Sequence, residues 1–191
     1  MLSLVPEDEL KQSLLAFRNT KDTDIQNFLN FNSITYEKRH WCSVYVIVNS
    51  ERLHSGELWI EGYFTLSHKV VEINYPISNT LRKRIHGGID KKENVVHMIL
   101  IGQLGKYIDE NNGIESNLSG HQLLDYAFEV IEEAHERITS RCVMLECKKS
   151  QEAKTVEEAE GREKLQQIYA DYGFTIFDDS EELTKFLKII S

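Results

Sequence analysis

At 191 residues, with 41% apolar and 28% charged side chains, ten glycines and two prolines, the chain has the composition of one compact domain over residues 1–191, and disorder is excluded for most of its length. A formal charge of −9 repels phosphate backbones and favours cationic partners, so the balance speaks against nucleic acid. The opening MLSLVPEDELKQ puts acids where an export signal needs a basic start, no stretch is apolar enough to span a bilayer, and Cys42, Cys142 and Cys147 are not spaced as a zinc set. These features predict a cytoplasmic protein with reduced thiols, no membrane partner and no metal.

Residues 22–39 place Ile25, Phe28, Leu29 and Ile34 near helical spacing, with Asp22 or Thr23 as the cap. Trp41 to Val48 is β-branched and aromatic and predicts a strand. Leu58–Leu66 and His68–Ile73 predict two more, and a turn over Asn49–Gly56 joins the first pair antiparallel. The basic run Arg82-Lys83-Arg84 is too short for a nucleic-acid footprint.

The dense apolar run Val95–Leu104 predicts a strand covered on both faces, with His97 a satisfied core histidine. A long helix follows. Its core stripe is Leu123, Leu124, Ala127, Phe128, Ile131, Ala134 and Ile138, with Glu129, Glu132, Glu133 and Glu136 opposite. Arg141–Cys147 returns as a strand. Ser150–Lys164 is a charged loop or helix start, Leu165–Tyr172 a short helix, and Gly173-Phe174 leads into a strand at Thr175–Phe177, with a last strand at Phe186–Ile190. Strand, glycine-bearing loop, helix and strand make a βαβ unit, and the N–H groups at the start of that helix can hold a phosphate.

Three segments resemble those of GNAT N-acetyltransferases of bacterial or phage type. Ile168-Tyr169-Ala170-Asp171-Tyr172-Gly173-Phe174 is similar to the family's aromatic-Tyr-x-x-x-Gly-Phe segment, with Ile168 in the aromatic's place. Gly120-His121-Gln122-Leu123-Leu124 resembles the end of its Gln/Arg-x-x-Gly-x-Gly/Ala loop, although Leu118 stands at the first glycine and Glu115 at the Gln/Arg. Ile101-Gly102-Gln103-Leu104-Gly105-Lys106 resembles its fourth strand.

The resemblance implies an α+β (α/β) GNAT fold: a mixed sheet of about six to seven strands, an antiparallel N-terminal meander, a C-terminal βαβ unit and helices on both faces. It also implies acetyl-CoA as co-substrate, attacked directly by a primary amine of a small molecule or protein. Leu104, Gly105 and Lys106 would pair with the pantetheine arm, and a Leu104 or Gly105 N–H would meet the oxyanion. Gly120 and His121 would lie at the pyrophosphate, with Ser116, Asn117 and Ser119 as substitute donors. Tyr169 would give the departing thiolate its proton. His97, Glu146 or a water chain remain open as the base. Tyr36, Trp41, Tyr45, Trp59, Tyr63 and Phe64 read mostly as core, and Glu57, Glu61 and Glu72 as a solvated face. The departures at Leu118 and Glu115 keep a second reading, a catalytically inactive GNAT-fold coenzyme sensor or protein-binding module. The opening half also looks like acetyltransferase toxins acting on aminoacyl-tRNA. A second copy of the chain is among the partners left open.

Overall fold

The computed structural model describes residues 6–73, 76–88, 94–137, 139–179 and 182–190. Helix α1 (Glu7–Ala16), which the sequence reading passed over, starts behind Pro6 with Glu7, Asp8 and Glu9 complementing the dipole of its first turn. The helix expected over 22–39 forms in three pieces: α2 (Thr23–Asn27), a π turn (Phe28–Asn32) and α3 (Ser33–Lys38). Asp22 is its cap, its carboxylate accepting the N–H groups of Asp24 and Ile25.

Strand β1 (Ser43–Val48) pairs antiparallel with β2 (Ile60–Glu72), with a bulge at Ile47/Val48. Their connection holds a short helix, α4 (Ser50–His54), capped by Asn49, and ends at Gly56 with φ +86°. The two strands expected over 58–66 and 68–73 are one continuous strand, so the meander has one strand fewer than predicted. Ser67 interrupts the apolar pattern but has no turn partner, and extended backbone runs through it. Helix α5 (Asn79–Ile85) carries the basic run and is capped by Ser78.

Strand β3 (Val95–Lys106) runs antiparallel to β2, as the bonds Ile73 N–H to Asn94 O and Tyr107 N–H to Glu61 O, both 2.7 Å, require. A two-residue hairpin, β4 (Ile108–Asp109) and β5 (Ile114–Glu115), interrupts the chain before α6 (Gly120–His135). Strand β6 (Cys142–Lys148) follows, then α7 (Val156–Asp171), β7 (Thr175–Asp178) and β8 (Leu183–Ile189). The sheet is mixed and six-stranded, in the order β1-β2-β3-β6-β8-β7, with β3 parallel to β6 and β8 antiparallel to both its neighbours.

Three expectations need correction. Val95 and His97 are exposed, so β3 is not covered on both faces at its start and His97 is no core histidine. Val96 and Met98, on the opposite face, are buried, and the run VVHMILIGQL hides this alternation because the outward face turns buried only by Ile101. In α6 the stripe is buried through Ile131, but Ala134 in the last turn is exposed, and Ile138 lies outside the described residues. The charged stretch before Leu165 is mostly the first half of α7, sixteen residues long rather than a short helix. It is held by the Thr155 cap and by the Glu158–Arg162 ion pair, neither of which leaves an apolar period to read.

The chain divides into two compact units, Met1–Leu66 with Gln103–Leu123 and Ser67–Gly102 with Leu124–Ser191. In the first, Leu14, Phe17, Leu29, Ile60, Tyr63 and Tyr107 form the core. Phe17 meets Tyr63 edge-on at 5.6 Å, and the Tyr63 hydroxyl donates to Ile25 O at 2.7 Å. In the second, α5 covers one sheet face through Ile85 on Val96, Met98, Met144 and Leu187. On the other face, where Phe186 and Lys188 point by strand alternation, lie α7 through Tyr169 and α6 through Phe128. Among the described residues no cysteine forms a disulfide, and Cys142 and Cys147 are buried on β6. Among the described residues no helix is long and apolar enough to cross a membrane.

Candidate active site

In the first unit the end of β3 and the loop entering α6 come together. Lys106 Nζ lies 2.6 Å from Glu115 Oε1 and 3.5 Å from Ser116 O. The glutamate at the position of the family's Gln/Arg is therefore paired with a cation. Leu118, in the place of a glycine, is buried; its Cδ1 would lie 3.1 Å from a Cβ at Gly62, so its side chain points into the unit's interior. Gly62 and Gly105 are both glycine for steric reasons. A Cβ on Gly62 would meet Gly105 O at 3.0 Å, and one on Gly105 would meet Ile25 Cγ2 at 2.3 Å.

The start of α6 is a capping box. Ser119 Oγ accepts from Gln122 N–H at 3.1 Å, and Gln122 Oε1 accepts from Ser119 N–H at 2.9 Å. Ser116 Oγ accepts from Leu118 N–H at 3.1 Å. Two of the expected substitute donors, Ser116 and Ser119, thus use their hydroxyl oxygens as acceptors within the loop, which leaves each O–H proton to be donated elsewhere. Asn117 and His121 are exposed, Gly120 half-buried, and the Gly120 N–H has no protein acceptor among the described residues. Gln122 was missed as a site residue, although the Ser-x-x-Gln signature is legible in the sequence.

On β3, the Gln103 N–H points to Thr65 Oγ1 (2.9 Å) and the Tyr107 N–H to Glu61 O (2.7 Å), both toward β2. Strand alternation then directs the Gly105 N–H to β2 as well, and the Leu104 and Lys106 N–H groups to the opposite edge. The β6 ladder ends at Ile101↔Leu145. Lys106 O on that edge accepts from Asn19 Nδ2 at 3.1 Å, a partner that no spacing in the sequence announced. Beside the loop, a cavity of about 140 Å³ brings Asn117 and Glu115 near Arg52, which stacks 4.1 Å over Trp59.

Tyr169 belongs to the second unit. It is buried among Phe174 and Phe186, with ring centroids at 6.3 and 5.5 Å, and its hydroxyl makes no hydrogen bond to another described residue. Burial, and secondarily Cys147, pushes its phenol above the ordinary tyrosine range and keeps it protonated. The Tyr172-Gly173-Phe174 segment ends α7 in a Schellman motif: Gly173 N–H donates to Ala170 O (2.9 Å) and Phe174 N–H to Tyr169 O (3.0 Å), with Gly173 at φ +93°. Lys188 clamps it, donating to Tyr172 O at 2.8 Å with Nζ 4.3 Å over Tyr172 and 4.7 Å over Phe128. Tyr172 OH in turn donates to Asp125 Oδ1 at 2.9 Å.

Of the candidate bases, His97 is exposed and Glu146 is paired with Lys69 at 2.6 Å. Among the aromatic residues Tyr63 and Phe64 are core, whereas Trp41 is 55% exposed. Glu57 and Glu72 are exposed as expected, and Glu61 is half-buried against Asn49 at 2.9 Å.

The order and pairing of these elements define the GNAT fold. No protein-family model matches the sequence, and neither does any curated protein. Solved structures do. The chain is similar to AtaT complexed with acetyl-methionyl-tRNAfMet, at 16% identity and TM-score 0.64 over 92% of this chain and 86% of that one. It is similar to a tyrosine-to-phenylalanine mutant of the AtaT toxin bound to the C-terminus of the antitoxin AtaR and acetyl-CoA, at 14% identity and TM-score 0.61 over 93% and 85%. A tyrosine-to-phenylalanine mutant of KacT matches at 16% identity and TM-score 0.62 over 94% and 90%.

Proposed function

We propose that the chain is an acetyl-CoA-dependent N-acetyltransferase that transfers the acetyl group to a primary amine by direct attack. The observation that carries this reading is the edge of β3 beyond Ile101, where the Leu104 N–H is directed away from β2 and β6 offers it no ladder partner. Such an N–H can meet the thioester oxygen, whose negative charge grows as the amine adds, and Leu104 takes that role in preference to Gly105. Lys106 offers a second N–H to the pantetheine arm. The Gly120 N–H at the mouth of α6, with Asn117 and His121 exposed beside it, suits the pyrophosphate. Because Glu115 is neutralised by Lys106 and Leu118 is turned inward, neither departure from the family's loop obstructs an anion there.

Tyr169 serves the leaving group. A thiol of pKa about 8.5 is more acidic than a phenol whose pKa burial has raised, so Tyr169 acts as a hydrogen-bond donor that stabilises the departing thiolate and keeps its own proton. The AtaT structure with acetyl-CoA supports the choice of coenzyme, and tyrosine substitutions chosen in both AtaT and KacT support the importance of a tyrosine.

The acetyl-methionyl-tRNA in AtaT favours a second reading within the same chemistry, in which the acceptor is the α-amine of an aminoacyl-tRNA and the chain is toxin-like. The −9 charge favours a small-molecule or protein amine instead. Lys106 is occupied by Glu115, and Arg82 reaches Asn94 Oδ1 at 3.3 Å, so these two cations are already engaged.

Isothermal titration with acetyl-CoA tests the coenzyme. Micromolar binding lost in Gly120→Trp is the expected result, and absence of binding by the wild-type protein would overturn the reading in favour of a repurposed fold. Turnover measured side by side on aminoacyl-tRNA and on a panel of polyamines and peptides separates the two acceptors.

A further inference from the structure

We propose that His68 and His97 form a two-imidazole site for a divalent transition-metal ion, Zn²⁺ in the first instance, on the exposed stretch of β2 and β3 in the second unit. The two residues lie 29 positions apart in sequence and on different strands, His68 on β2 and His97 on β3. Both are exposed, and their ring centroids are 5.2 Å apart with an interplanar angle of 32°. An ion about 2.0–2.1 Å from each ligating nitrogen, with roughly another 1.1 Å to each ring centre, requires centroids about 5 Å apart when the two bonds meet at a tetrahedral angle. The observed separation meets that requirement without moving either strand.

Neither ring is hydrogen-bonded to another described residue, so its nitrogens are open to a ligand. His54, also exposed, differs: its Nδ1 lies 2.6 Å from Ser50 O. Val70 and Val95, 55% and 45% exposed, sit on the same two strands and bring neither charge nor competing donor to the pair. No group of three or more His, Cys, Asp or Glu side chains that could hold a metal occurs among the described residues. Two coordination positions therefore fall to water or an added ligand, which makes the site an exchangeable surface site rather than a closed structural one.

The test is titration of tag-free protein with Zn²⁺ at pH 7.5 against a chromophoric chelator, with thermal melts confirming that each variant is folded. A single ion per chain is expected. His68→Asn and His97→Asn should each weaken binding more than about tenfold, since each removes one of two protein ligands, while His54→Asn leaves it unchanged. Cu²⁺ should bind more tightly than Zn²⁺. Full affinity in either single variant, or no binding at millimolar Zn²⁺, would overturn the proposal. Acetyl transfer plays no part in the readout, so the result stands apart from the enzymatic reading.

Discussion

The two sets of candidate residues are held in opposite ways. In the first unit, the Leu104–His121 region is held by short-range polar bonds at or near the surface: the Ser119–Gln122 box, the Ser116–Leu118 turn and the Lys106–Glu115 pair. In the second, Tyr169 is held by apolar packing on Phe174 and Phe186, and polar bonds appear only around it, at Lys188 and Tyr172. A surface made of local bonds can be altered piecemeal at small cost, whereas a buried phenol shares its environment with the core.

The largest effect expected is kinetic. Tyr169→Phe keeps the ring contacts and removes the hydroxyl, so turnover should fall about a hundredfold or more while acetyl-CoA affinity and the thermal midpoint stay near wild type. Loss of binding in proportion to turnover would make Tyr169 a core residue alone. In the first unit the comparison breaks hardest at Gly105→Ala, where the new Cβ meets Ile25 Cγ2 at 2.3 Å. A stability loss of about 1–3 kcal/mol is expected in urea, partly recovered by adding Ile25→Ala.

The second unit also carries an alkali-sensitive group. Burial pushes the Cys142 thiol up to about 11, offset in part by Arg141. The native state therefore keeps this proton after the unfolded chain has lost it. The resulting stability is complete below about pH 9 and is lost as pH rises through about 11, by about 2–3 kcal/mol. Urea midpoints from pH 8 to 11 should fall, and Cys142→Ala should flatten that decline.

Smaller effects sharpen the contrast. Lys188→Met removes a cation from Tyr172 and Phe128 and a donor from Tyr172 O, and should cost about 1–2 kcal/mol. Ser119→Ala should cost about 1 kcal/mol through loss of the cap, with weaker acetyl-CoA binding as the first turn of α6 frays.

The same contrast explains what could be read in advance. The Schellman stop at Gly173-Phe174, the Asp22 cap and the buried stripe of α6 rest on neighbours within a few residues, and each was legible as a pattern. The first half of α7 was not, because its stabilising groups are a cap and i,i+4 charges on an exposed face with no apolar period. The continuous β2 and the exposed start of β3 were misread for a related reason: whether a strand residue is covered depends on what lies across the sheet.

The sequence by itself determined the order of the later elements, the helix ends and the segments that resemble a coenzyme-binding fold, since periodicity, capping and turn chemistry are local properties of the chain. Only the tertiary structure decided that Glu115 is neutralised by Lys106, that Leu118 turns inward, that Leu104 rather than Gly105 offers its N–H to the open edge, and that His68 meets His97. Each of these depends on strand register or on contacts between distant segments, and register is set by the packing of whole faces, which no single stretch of residues encodes.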